Sequence, residues 1–182
     1  MLAWLVPTLV VVVLLLGLWV LFTAQRLDRL HARVDAAGAA LDAQLVRRAA
    51  ALLHTAESGA EASGLADPLR VQCEQVARAA LDVTADQAPG GRQAAENSVG
   101  RMLAAVSGAS LGMHPEVVDE LREAAARVQV ARRFFNDAVR DTRALRSRRM
   151  PRLLRLAGHR EMPEFFDIDD TIVVPEVKRI DL

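Results

Sequence analysis

Two arginine doublets, Arg47-Arg48 and Arg132-Arg133, and a run of six more, Arg143, Arg146, Arg148, Arg149, Arg152 and Arg155, are the residues of this chain best suited to specific chemistry. A guanidinium presents five donors in a planar fork that matches carboxylates and phosphates. Asn136 and Asp137 follow the second doublet and add an amide and a carboxylate. Asn136 stands in an apolar stripe bounded by Phe135 and Val139, so its amide needs partners, either within the fold or on another protein. The same two readings hold for Arg132 and Arg133: pairing with acids of an adjacent helix, such as Glu74 or Asp82, or recognition of a partner. The chemistry on offer is therefore binding.

Catalysis and cofactor binding are not expected. The four histidines, His31, His54, His114 and His159, have no metal-ligand spacing with one another. His54 and Glu57 can share a helical face, but two ligands do not make a site. No phosphate-binding glycine loop, nucleophile elbow or zinc-protease helix motif is present. The single cysteine, Cys73, excludes an intrachain disulfide and reads as a small buried hydrophobe. An unrecognised hydrolase or a peptidase cofactor is the weakest reading, and no small-molecule substrate is expected.

The formal net charge is zero, but the charge is unevenly distributed. Residues 127–160 hold eleven arginines and two aspartates, residues 57–123 eleven acids and five arginines, and residues 161–182 seven acids and two bases. Such blocks can neutralise each other between packed helices, each exposed pair contributing under about 1 kcal/mol. They can also steer a partner or meet anionic lipid. Residues 143–155 are the exception to mutual neutralisation, because their arginines have no acid among them. Nucleic acid is not expected as a partner, given a membrane tether and the scarcity of aromatic residues.

The tether is residues 2–22, which carry no charge. Twenty-one helical residues at 1.5 Å each cover about 30 Å, the thickness of the hydrocarbon layer. A cleaved signal peptide fits less well: there is no basic leading segment, the apolar run is long, and no small-residue cleavage site precedes Gln25. Arg26, Arg29 and Arg33, partly offset by Asp28, follow the span, and the positive-inside rule then puts the rest of the chain in the cytoplasm.

Beyond the span, apolar residues recur at helical spacing. Leu27, Leu30, Val34, Ala37, Leu41 and Leu45 share one face, with no breaker between them and the span, so one helix should run to His54 or Glu57. Asp67-Pro68 predicts a helix start, followed by Leu69, Cys73, Val76, Ala80 and Val83. Pro89-Gly90-Gly91 reads as a turn, with a third helix from Arg92 carrying Val99, Met102, Leu103 and Val106. Pro115 opens a long last helix through Val118, Leu121, Ala125, Val128, Phe135, Val139 and Leu145, ending at Ser147 or Arg149 before Pro151. A short helix at 152–157 and an extended stretch at 171–174 follow. The expected architecture is all-α: a transmembrane anchor (1–24), an antiparallel up-and-down bundle of three or four helices (25–160), and an extended acidic tail (161–182).

Two segments carry a family pattern. Residues 30–48 read LHARVDAAGAALDAQLVRR and residues 131–139 read ARRFFNDAV. Behind an N-terminal span, they resemble the LemA family of bacterial membrane proteins, whose members show an LD-x-QL-x-RR-like segment on the first soluble helix and an ARR-[FY]-[YF]-N-x-AV segment on the last. The likeness extends to about Asp167, with Pro151 and Phe165-Phe166 fitting the family's end. The D-L-I-P-N-L-like continuation of the family is replaced here by Ala49-Ala50-Ala51-Leu52-Leu53-His54-Thr55. The resemblance implies a helical bundle on a single anchor and no established enzymatic activity. It also points to envelope partners at the cell membrane. A helix continuous with the anchor and the absence of catalytic residues favour a scaffold for another envelope protein or for its own copies, and the alternative is an anionic-lipid surface sensor through residues 143–155.

Overall fold

The computed structural model describes residues 4–83, 89–109, 112–148 and 160–169. Among them are five α-helices and no strand: α1 (Leu5–Glu57), α2 (Gly59–Ser63), α3 (Asp67–Asp82), α4 (Pro89–Gly108) and α5 (Pro115–Arg146). The helix expected at 152–157, the extended stretch at 171–174, and Arg149, Arg152, Arg155 and His159 lie outside the described residues.

Helix α1 joins the apolar run and the first amphipathic stretch without interruption, as the absence of a breaker predicts. Pro7 falls in its first turn, where the missing N–H has no intrahelical acceptor to lose. The hydroxyls of Thr8 and Thr23 donate to the carbonyls of Trp4 and Trp19 at 2.7 and 2.8 Å, so neither is left without a partner in an apolar setting. Every residue from Trp4 to Trp19 is exposed. By length and composition α1 is able to cross a membrane.

Contacts divide the chain into two compact units. The first unit is Met1–Gly38 with Phe134–Phe165; the second is Ala39–Arg133 with Phe166–Leu182. Helices α1 and α5 each contribute to both.

In the first unit, Val34 and Ala37 of α1 pack against Phe135, Ala138 and Val139 of α5. Gly38 faces the Phe135 ring, Arg33 pairs with Asp141 at 3.1 Å, and His31 lies beside Arg146. Numbers fall along α1 as they rise along α5, so these two segments run antiparallel. An irregular segment, 160–165, lies along them. The Arg146 guanidinium donates to the carbonyls of Glu161 and Arg160 at 2.5 and 2.6 Å, and Arg143 donates to the Pro163 carbonyl at 3.0 Å. Arg143 also stands over the Phe165 ring, 5.4 Å from its centroid.

In the second unit one apolar core draws on four helices: Ala49, Leu52 and Ala56 of α1; Cys73, Ala77 and Ala80 of α3; Val99, Leu103 and Val106 of α4; and Val118 and Leu121 of α5. Each fully buried leucine or valine contributes about 1.5–3 kcal/mol relative to exposure. Alanine at so many contact positions lets helix backbones approach closely. Helix α3 packs directly on α4. Asp67 does not act as the N-cap; Ala66 occupies that position and Asp67-Pro68 form the first turn. Helix α4 begins at Pro89 rather than Arg92, so Gly90 and Gly91 lie inside the helix instead of forming a turn. Proline at the first helical position starts it at no hydrogen-bonding cost, and the glycines fall where the backbone is still entering the helix. Gly64, with φ of 73°, ends α2, and a Cβ there would stand 2.0 Å from the Gly112 carbonyl oxygen. Ile168 is buried and the Asp169 amide donates to Asn97 at 2.9 Å, so residues 166–169 are docked rather than free.

Candidate functional site

The doublet Arg47-Arg48 sits on α1 in the second unit, and helical geometry sends its two side chains to different surroundings. Arg48 turns inward. Its Nη2 donates to Glu96 Oε2 at 2.7 Å and to the Glu96 carbonyl at 3.2 Å. The other carboxylate oxygen of Glu96 accepts from Arg92 Nε at 3.1 Å, one helical turn away on α4. Arg92 also donates to the Val83 carbonyl at 2.9 Å and stands 3.7 Å from Asp42 of α1. Glu96 is 1% exposed and Arg48 6%. A carboxylate this deeply buried is tolerable only because two guanidiniums satisfy both of its oxygens. The balance is incomplete on the arginine side, for Arg48 Nε is buried without a partner.

Arg47 turns outward into a polar groove between α1 and α5 with a volume of about 370 Å³. Its walls are Gln44, Arg47 and His54 of α1 and Glu120, Glu123 and Arg127 of α5, over a floor of Ala50, Ala51 and Ala124. Arg127 pairs with Glu123 at 2.6 Å. The groove offers both signs of charge, an imidazole and an amide within one short reach, which suits a polar segment of mixed charge. Among the described residues no group of three or more His, Cys, Asp or Glu is placed to hold a metal ion.

The second motif segment lies on α5 and is divided between the units. In the second unit, Arg132 is half-buried and reaches Asp167 at 4.0 Å, not Glu74 or Asp82; Glu74 pairs instead with Arg78 on its own helix at 2.8 Å. Arg133 is exposed. In the first unit, Asn136 is half-buried and Asp137 pairs with Arg140 one turn on. Phe135, Ala138 and Val139 form the contact with Val34, Ala37 and Gly38, so segments 30–48 and 131–139 meet as a helix–helix interface. Of the basic run, Arg143 and Arg146 are occupied with carbonyl oxygens and Arg148 is exposed.

Glu96 and Asp42 were not singled out by sequence reasoning. The signal was present, because Glu96 lies three residues before Val99 and seven before Leu103, on the face of α4 that those residues bury. A charge in phase with a core stripe requires a buried partner, and Arg92 stands one turn away.

No family profile, curated protein or solved structure matches the chain.

Proposed function

We propose that this chain is a single-pass membrane protein whose helical domain, a LemA-like up-and-down bundle on the cytoplasmic side, serves as an interaction platform for another envelope protein or for its own copies. One observation carries the reading: the apolar surface of α1 from Trp4 to Trp19 has no cover, and the same unbroken helix supplies Arg47 to the polar groove. A soluble monomer does not leave so large an apolar surface in water, whereas a bilayer accepts it. The arginines after the span, Arg26, Arg29 and Arg33, support the cytoplasmic orientation.

Photo-crosslinking residues introduced at Arg47 and Glu123 in the full chain, irradiated in native membranes, test the platform. Discrete crosslinked species are expected from the groove, and fewer from a control position such as Ala62. A lone monomer at every position, under gentle conditions, would refute it.

A further inference from the structure

The arginines of the first unit fall into two groups. Arg33, Arg140 and Arg160 each pair with a carboxylate, Asp141, Asp137 and Asp35 respectively. Arg26, Arg29, Arg143, Arg146 and Arg148 have no carboxylate within 4.0 Å among the described residues. Arg143 and Arg146 bond to carbonyls and an aromatic ring, which orient a guanidinium without cancelling its charge. Arg146 further donates toward His31 Nε2 at 3.4 Å, while His31 Nδ1 is held by the Leu27 carbonyl at 2.9 Å.

The second group has a common level along α1. Phe22 is the last residue of the uncharged run. At 1.5 Å per residue, Arg26 and Arg29 follow it by about 6 and 10 Å, and His31 by about 13 Å. Arg146 stands beside His31, and α5 runs antiparallel to α1, so the C-terminal end of α5 points toward the apolar run. The Arg148 amide bonds to the Leu145 carbonyl and keeps that residue in the turn at the helix end. Headgroups extend roughly 5–8 Å beyond the hydrocarbon on each side, and the screening length at physiological salt is about 8 Å. Arg26 therefore lies at headgroup depth, and Arg29 and Arg146 lie within about one screening length beyond it, with Asp28, Glu161 and Glu164 as the nearby acids.

We infer that Arg26, Arg29, Arg146 and Arg148, with Arg143 behind them, form a basic collar that gathers anionic phospholipid headgroups around the point where α1 leaves the bilayer. This rests on the membrane-anchor reading of α1. The collar selects the lipids next to the protein in addition to holding the protein on the membrane.

Trp19 is a built-in reporter three residues before Phe22. The full chain carrying Trp4→Phe is reconstituted in mixed vesicles of phosphatidylglycerol and phosphatidylcholine, with bromine quencher on one lipid or the other. Stronger quenching by brominated phosphatidylglycerol is expected, amounting to a several-fold preference that falls in 0.5 M salt (a concentration chosen to shorten the screening length to roughly 4–5 Å). Changing Arg26, Arg29 and Arg148, all exposed, to Gln together should abolish most of it. Equal quenching by the two lipids overturns the collar and leaves the anchor standing. No quenching by either lipid overturns the anchor, and the collar with it. Loss of the preference on adding millimolar inorganic phosphate at constant ionic strength overturns the lipid assignment in favour of a free-phosphate site.

Discussion

At the scale of the residue, Glu96 and Cys73 are buried for opposite reasons. Glu96 is a charge held in the core by Arg48 and Arg92, and removing it strands two guanidiniums. Glu96→Ala should therefore cost about 3–5 kcal/mol, and Glu96→Gln, which keeps the shape and one acceptor, clearly less. Urea unfolding of the full chain in detergent, followed by helical circular dichroism, measures both. Cys73 is a neutral group that the core keeps neutral: burial pushes its thiol from 9.0 up to about 11. Because the folded value lies above the unfolded one, the thiol's contribution to stability is complete below pH 9 and is lost as pH rises toward 11. The difference in melting temperature between the native chain and Cys73→Ala should shrink across that interval. The burial of Cys73 is legible in the sequence, since it recurs with Leu69, Val76 and Ala80. Glu96 was harder to read, because a carboxylate on a core face looks like an error in the stripe until its partners are seen.

At the scale of the element, two glycines show when backbone freedom is needed. Gly38 is helical, and a Cβ there would meet the Phe135 ring at 3.5 Å, an ordinary contact. Gly38→Ala should stabilise the chain by about 0.5–1 kcal/mol, since alanine restricts the unfolded backbone and favours helix. Gly64→Ala should do the reverse and lower the melting temperature by several degrees, because its backbone is left-handed and the space is filled by Gly112. One pair of thermal melts separates the two cases. The four longer helices were readable from the apolar phase, and the starts of α3 and α5 from Pro68 and Pro115, whereas the short α2 falls where Ser58-Gly59 and Ser63-Gly64 read as a turn. Boundaries were less so: the start of α4 depended on whether Pro89-Gly90-Gly91 ends one element or opens the next. Local chemistry allows both, and only the packing of α4 on α3 decides between them.

At the scale of the whole molecule, the apolar run and the rest of the chain make separate demands. Among the described residues no buried apolar side chain precedes Leu27. A chain beginning at Gln25 should keep its helical spectrum and a cooperative melt while leaving the membrane fraction. A spectrum collapsed to coil would show that the apolar run is part of the fold. Length and lack of charge made a helix able to cross a membrane readable from one sequence, because the bilayer sets a simple physical criterion. The groove was not readable, since it depends on which faces of α1 and α5 come together, and that is fixed by contacts distant in sequence. Arg47 looked like the twin of Arg48, yet one is solvated and the other is among the most buried charges described.

The approach of Gly64 to Gly112 also bears on how the protein can be handled. Junctions between helices are usually where an epitope or fluorescent insert does least harm. Here the junction after α2 and the one before α5 are seated on each other, backbone to backbone. Extra residues spliced in beside either glycine would prise apart two joints at once, so labels are better carried at a chain terminus.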